Sequence, residues 1–96
     1  MIYATHRLYD CMHCVTTFQV VETIDGCVAS IYDFDGEKHS MRWYDAIVLS
    51  SNNQKNCFFK SIADVLEYLQ SDDSNIHLYA YGVTFEDEGC MLSHLA

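Results

Sequence analysis

Proline is absent from the sequence, and glycine occurs only four times. This excludes a collagen-like, linker or low-complexity chain, because such segments are rich in these two residues. Basic residues are also scarce, with five Lys and Arg against fourteen Asp and Glu, so the formal net charge is −9. An acidic chain repels phosphate backbones, so direct nucleic-acid binding is disfavoured and a basic partner is favoured.

Long apolar runs are missing too. No stretch approaches the ~18 apolar residues of a membrane span, and residues 1–7 lack the apolar core of a signal peptide. The five cysteines are an odd number, so they cannot all pair within one chain. We therefore expect reduced thiols in the cytoplasm, or in the host cytosol if the chain is phage-encoded, and no membrane partner.

What the sequence does have is apolar material for a core. Hydrophobic residues make up 50% of its 96 positions, and aromatic residues make up 14%. A chain of this length buries roughly two-thirds of the surface that its unfolded form exposes. The sequence therefore predicts one acidic domain over residues 1–96 that folds without a cofactor.

Three segments rich in β-branched or alternating apolar residues each predict a β-strand. They are Val15–Ile24, residues 27–34 and a third within residues 38–50. One Asp-Gly pair separates the first two segments and another precedes the third, and this pair is typical of a tight hairpin turn. Together they predict an antiparallel meander of three strands.

Residues 59–69 change to a helical period. Ser61 with Asp64 resembles a capping box, with Asp in place of Glu. Residues 76–85 alternate again and predict a fourth strand, whereas residues 1–14 fit either an edge strand or a short helix. The predicted fold is therefore a two-layer α+β domain of order β-β-β-α-β, with the sheet packed against one amphipathic helix. The apolar face of that helix contains Ile62, Val65, Leu66 and Leu69.

Four potential metal ligands lie near the two ends of the chain. Cys11 and Cys14 have the spacing of a zinc half-site, and Cys90 and His94 supply a second half. A Cys3His zinc site would join the two ends of the chain. The alternative is that these are ordinary thiols, because free cysteine often packs as a small core hydrophobe. The sequence favours this alternative.

Carboxylates and aromatic side chains make the other candidate site. Acidic residues alternate through the second Asp-Gly turn and cluster again in two later segments. Trp43 and Tyr44 are adjacent, and Tyr79 and Tyr81 form a second aromatic pair; exposed aromatic rings supply binding area at low entropic cost. The predicted partner-binding residues are Asp33, Asp35, Glu37, Trp43, Tyr44, Asp72, Asp73, Glu86, Asp87 and Glu88.

No nucleophile motif, phosphate-binding loop or metalloprotease motif is present, so we expect a protein that is not an enzyme. In size and charge the chain resembles small inhibitors encoded by phages and mobile elements, including anti-CRISPR proteins. That resemblance implies an interaction module that presents carboxylates in place of phosphates to a larger basic protein, such as a nucleic-acid-binding nuclease complex. Two alternatives stay open, a zinc-stabilised adaptor and an accessory subunit without an inhibitory role. A monomer and a homodimer are equally compatible with the sequence.

Overall fold

The structure is a computed structural model, and it describes residues 1–10, 15–36, 41–50, 57–68 and 78–95. These residues form seven strands and one short helix, and all seven strands belong to one mixed sheet. In chain order the elements are β1 (Ile2–Tyr9), β2 (Val15–Ile24), β3 (Cys27–Asp33), β4 (Met41–Ser50), β5 (Cys57–Phe59), α1 (Ile62–Tyr68), β6 (Tyr79–Glu86) and β7 (Gly89–His94). Across the sheet the order is β3-β2-β1-β4-β6-β7-β5.

The predicted two-layer α+β fold is wrong, because a seven-stranded sheet dominates and the helix is short. β1, where the sequence left strand and helix open, lies inside the sheet, antiparallel to β2 and parallel to β4. β4 is not the third strand of a meander, since its neighbours are β1 and β6 rather than β3. Alternation identifies strands, but their neighbours depend on packing between distant segments, which a periodic pattern does not encode.

Only the first Asp-Gly pair forms the predicted hairpin. Asp25 and Gly26 both have positive φ, 53° and 81°, as a type I′ turn requires, and they connect β2 to β3. Gly36 lies in a bend after β3, and in the described residues β3 does not pair with β4. β5 and β7 were also missed, because β5 has only three residues and β7, with the sequence GCMLSH, does not alternate between apolar and polar residues.

The core lies on both faces of β4. Ala46 and Val48 belong to one buried cluster, and Ile47 and Leu49 to another. Successive residues of a strand point to opposite faces, so this half of β4 is covered on both sides. That burial explains the unbroken apolar run, because a strand covered on both faces has no polar side.

The helix covers one of these faces. Val65 is fully buried in the cluster of Ala46 and Val48, and Ile62 and Leu66 pack against the same cluster. We call it the helix-side cluster. The predicted cap is confirmed, since the Asp64 N–H donates to the Ser61 hydroxyl at 3.3 Å. No helix in the described ranges is long and apolar enough to cross a membrane.

The other face is covered by the sheet itself. β3 is one of the two edge strands, yet it contacts β6, and Val28 N–H donates to the Leu78 carbonyl at 2.8 Å. At the adjacent turn, the His94 Nε2 lies 2.9 Å from the Gly26 carbonyl and donates to it. The sheet therefore curls over the cluster of Ile47 and Leu49, which we call the curl-side cluster.

Candidate functional site

The sheet is irregular at one row, by which we mean the cross-strand positions occupied by His6, Phe18 and Asp45. On β1, Thr5 and Arg7 pair with β2 and with β4, but His6 between them pairs with neither strand. The register is the same on both sides of this gap, so Phe18 and Asp45 would be the partners of His6 in a regular sheet. The Thr5 hydroxyl spans the gap, because it donates to the Arg7 carbonyl at 2.8 Å and accepts from the Arg7 N–H at 3.3 Å. This local bonding competes with the ladder.

The irregularity also changes the face of the sheet to which side chains of β4 point. Tyr44 and Ile47 are three residues apart on β4, yet both pack in the curl-side cluster. In a regular strand, residues an odd number apart point to opposite faces. The ring of Tyr44 lies directly over Gly82, the partner of Ile47, where an added Cβ would stand 2.5 Å from the ring. Irregularities of this kind redirect side chains and are common beside functional sites.

Phe18 occupies this row in an unfavourable conformation. Its φ is 52°, in the left-handed region that costs an L-residue roughly 1–2 kcal/mol. Its side chain is 53% exposed, so core burial does not explain the strain. Bulky residues rarely adopt such a φ, and strained positions of this kind cluster at functional sites. Phe18 is therefore a functional candidate.

Four aromatic side chains meet around this row and form what we call the aromatic patch: His6, Phe18, Phe34 and Trp43. The His6 ring lies 5.5 Å from the Phe18 ring and 5.2 Å from the Trp43 ring, centroid to centroid. Phe34 packs edge-on against Trp43 at 4.9 Å. The Phe34 N–H donates to the Phe18 carbonyl at 2.9 Å, which fixes β3 beside β2 at this point. The four rings thus come from β1, β2, the residue directly after β3, and β4, which are neighbours in the sheet.

A pocket of about 200 Å³ opens beside the patch. It lies where β4 and β6 separate, because their pairing begins at Ala46 and Val83 and does not extend toward Met41 in the described residues. The volume is below the roughly 300–1,000 Å³ of sites for drug-sized ligands, so it suits a side chain. Its lining residues are His6, Trp43, Tyr44, Asp45, Val83 and Thr84.

Within the described parts of the chain, Asp45 is the only carboxylate in that lining, and no Lys or Arg is among the lining residues. Its side chain is 68% exposed, and its Oδ1 lies 3.8 Å from His6 Nδ1, too far for a hydrogen bond. Two basic groups lie nearby. The Arg7 guanidinium lies 5.7 Å from the centroid of the exposed Phe85 ring, and Arg42 directly precedes Trp43 on β4.

Negative charge surrounds this end of the sheet. Asp33 and Asp35 flank Phe34 of the aromatic patch, and both are exposed. Asp33 accepts a hydrogen bond of 2.7 Å from Gln19 Nε2. Glu86, Asp87 and Glu88 are exposed and form the turn between β6 and β7. This turn follows Val83 and Thr84, the two residues of β6 that line the pocket. Counting only residues that the structure describes, carboxylates therefore outnumber the two guanidinium groups in this region.

The predicted partner-binding residues divide into two groups. Trp43, Tyr44, Asp33, Asp35 and the turn at Glu86–88 lie around the patch and pocket, but this proximity does not test their role. Glu37, Asp72 and Asp73 lie outside the described residues. Tyr81 is fully buried and Tyr79 half-buried, so that pair belongs to the helix-side cluster.

Sequence reasoning missed three of the four residues of the aromatic patch. By strict alternation, Phe18 would lie on the same side of β2 as Val20 and Ile24, but Phe18 and Ile24 are exposed and only Val20 is buried. His6 and Phe34 carried no motif at all. No local pattern indicates these residues, because they meet only through strand pairing.

The predicted zinc ligands are only partly described. Cys11 and Cys14 lie outside the described residues, so their half of the site stays a prediction. Cys90 and His94 both lie on β7, where four residues of extended strand set their Cα atoms about 13 Å apart. That is farther than two ligands of one tetrahedral zinc ion can span. Among the described residues, no three His, Cys, Asp or Glu groups lie close enough to hold a metal ion.

Cys90 and His94 have other contacts. Cys90 is 2% exposed in the helix-side cluster, and burial, followed by the nearby Asp64 charge, raises the pKa of its thiol. A raised pKa keeps a thiol protonated and unreactive, so Cys90 is poorly suited to nucleophilic chemistry. His94 packs against the rings of Tyr79 and Tyr81 while it bonds Gly26.

No protein-family model, curated protein or solved structure matches this chain. Any functional assignment therefore depends on the site's own geometry and charge.

Proposed function

We propose that this chain is a small acidic protein-interaction module that binds a larger basic protein and inhibits it by occupying a surface built for nucleic-acid phosphates. One observation carries this proposal: aromatic rings that are exposed or half-buried meet on an irregular, strained row of the sheet, and exposed carboxylates lie beside them. The few residues that dominate the binding energy of protein interfaces are enriched in Trp, Tyr and Arg, and complementary charge supplies steering and specificity.

The alternatives have less support. A zinc-stabilised adaptor needs Cys90 and His94 on one ion, and the extended β7 holds them apart. An accessory subunit without an inhibitory role would use the same patch, so competition with nucleic acid distinguishes it from an inhibitor. We place the proposed module in the cytoplasm, where a basic nucleic-acid-handling partner is available.

The partner is identified by capture on the immobilised protein from a lysate of the cell in which the chain functions. We expect a basic protein that is retained at about 50 mM salt and released at about 500 mM, because screening weakens charge attraction between exposed groups. The purified partner should then lose its nucleic-acid binding when this chain is added. The proposal would be contradicted if partner binding did not weaken with rising salt concentration, or if the partner bound nucleic acid and this chain at the same time.

Charge reversal supplies the matched control. Asp35→Lys changes the surface beside the aromatic patch, whereas Glu67→Lys makes the same charge change on the exposed side of α1. We expect Asp35→Lys to weaken partner binding several-fold and Glu67→Lys to leave it within about twofold, because rim charges act mainly near the contact. Equal losses in the two variants would mean that net charge alone, rather than this surface, drives association.

A further inference from the structure

The pocket beside the aromatic patch has the chemistry of a cation site. Its lining includes the aromatic rings of Trp43 and Tyr44 and the Asp45 carboxylate, whose side chain is 68% exposed. The faces of such rings attract cations, and a carboxylate adds charge-assisted hydrogen bonds. Among the residues that the structure describes, no lysine or arginine lines the pocket, and the basic group nearest Asp45 in the lining is His6, with Nδ1 3.8 Å from Oδ1.

We propose that this pocket receives one arginine side chain of the basic partner, with its guanidinium against the Trp43 ring and its N–H groups donating to the Asp45 carboxylate. This inference rests on the proposed function and names the group through which the partner is recognised.

Arginine fits the pocket better than lysine for three reasons. Its guanidinium is planar and stacks on aromatic faces, whereas the lysine ammonium is a compact and strongly hydrated charge. Its fork of N–H donors matches a carboxylate. The surface already holds one such contact, because the Arg7 guanidinium lies over the Phe85 ring at 5.7 Å.

The geometry of the sheet explains why the pocket is open. β4 and β6 stop pairing beyond Ala46 and Val83, so Asp45 and Thr84 diverge and leave a gap between the strands. Tyr44 is held against Gly82, so its ring forms a fixed wall rather than filling the gap. A preformed pocket reduces the entropy lost when a side chain enters it.

The test uses capped arginine amide as the probe and compares it with capped citrulline amide, which has the same shape without the charge, and with capped lysine amide. Trp43 is the only tryptophan, so its fluorescence reports directly on the pocket. We expect a saturable change with arginine, none with citrulline, and weaker binding of lysine by several-fold. No saturable response to arginine, or an equal response to citrulline or lysine, overturns the proposal.

Variants locate the effect. Asp45→Asn removes the charge of a side chain that is 68% exposed, so folding should be unaffected, and arginine binding should weaken about tenfold. Glu67→Gln removes the same charge from the exposed side of α1, outside the pocket lining, and should leave arginine binding within about twofold. Amide NMR spectra confirm that both variants are folded. Equal losses in the two variants would mean that arginine responds to net charge and not to this pocket.

The two proposals can fail separately. If partner capture is salt-sensitive and needs Asp35, but Asp45→Asn binds the partner as well as the unmodified protein, the interaction module stands and the arginine pocket is wrong. If capture of the partner is unchanged by salt and by Asp35→Lys, the interaction module itself is wrong, whether or not capped arginine amide binds the pocket.

Discussion

Replacing Gly82 by alanine tests the wall of the pocket directly. The Cβ of alanine would stand 2.5, 2.7 and 2.9 Å from three ring atoms of Tyr44, distances that real Cβ contacts do not reach. Gly82 has no positive φ, so the backbone itself accepts alanine. The closest conflict is therefore with the ring, which must move out of the curl-side cluster.

The magnitude follows from two opposing effects. Overpacking of this kind costs about 1–3 kcal/mol, whereas alanine in place of strand glycine gains about 0.5–1 kcal/mol. We expect Gly82→Ala to lower the free energy of unfolding by about 1–2 kcal/mol. If Tyr44 is first changed to alanine, the ring is gone, and Gly82→Ala should then be neutral or slightly stabilising. The coupling between the two sites should be about 2 kcal/mol.

Urea unfolding of the four proteins measures this cycle, provided that their m-values agree. Because Tyr44 adjoins Trp43, the fluorescence of the folded Gly82→Ala protein should also change. The reasoning is refuted if Gly82→Ala is as stable as the unmodified protein, or if its penalty persists in the Tyr44→Ala background.

Two further predictions concern stability. Phe18→Gly should be about 1 kcal/mol more stable than Phe18→Ala, because both remove the ring but only glycine relieves the positive φ; urea unfolding checks the order. Stability should also fall as pH rises above 9.0, the ordinary thiol value, because the folded protein holds the Cys90 proton more tightly than the unfolded chain does. This contribution is complete below that pH and is lost as pH rises through the raised pKa, so the stability lost on Cys90→Ala should shrink in alkali. Burial raises the pKa of Tyr3 as well, which adds to the alkaline loss in both proteins.

Each of these has a control. Equal stabilities of the glycine and alanine variants at position 18 would mean that the left-handed φ of Phe18 carries no strain. Cys27 is half-buried and unpaired, so Cys27→Ala should retain the alkaline decrease that Cys90→Ala reduces. If the stability lost on Cys90→Ala is the same at all pH values, the Cys90 thiol does not cause the alkaline decrease.

Some features of the fold were predictable because they depend on neighbours in the chain. Val15–Ile24 was predicted as a strand with the bounds it has, and Asp25-Gly26 as its turn, since two positive φ values favour this pair. The helix was predicted with its Ser61 cap, although it begins at Ile62 and not at residue 59, where the predicted helical segment started. Within the candidate site, only Trp43, Tyr44 and the flanking carboxylates could be named, because composition alone makes them candidates.

The sequence by itself determined an acidic, aromatic-rich chain with several strands, one tight hairpin turn and one capped helix. Only the tertiary structure decided that β1 separates β2 from β4, and that His6, Phe18, Phe34 and Trp43 therefore meet. The same holds for the gap between β4 and β6 and for the positive φ of Phe18. The physical reason is that local propensity and alternation involve a few adjacent residues, whereas strand order and the irregular row follow from how two buried clusters pack on opposite faces of one curled sheet.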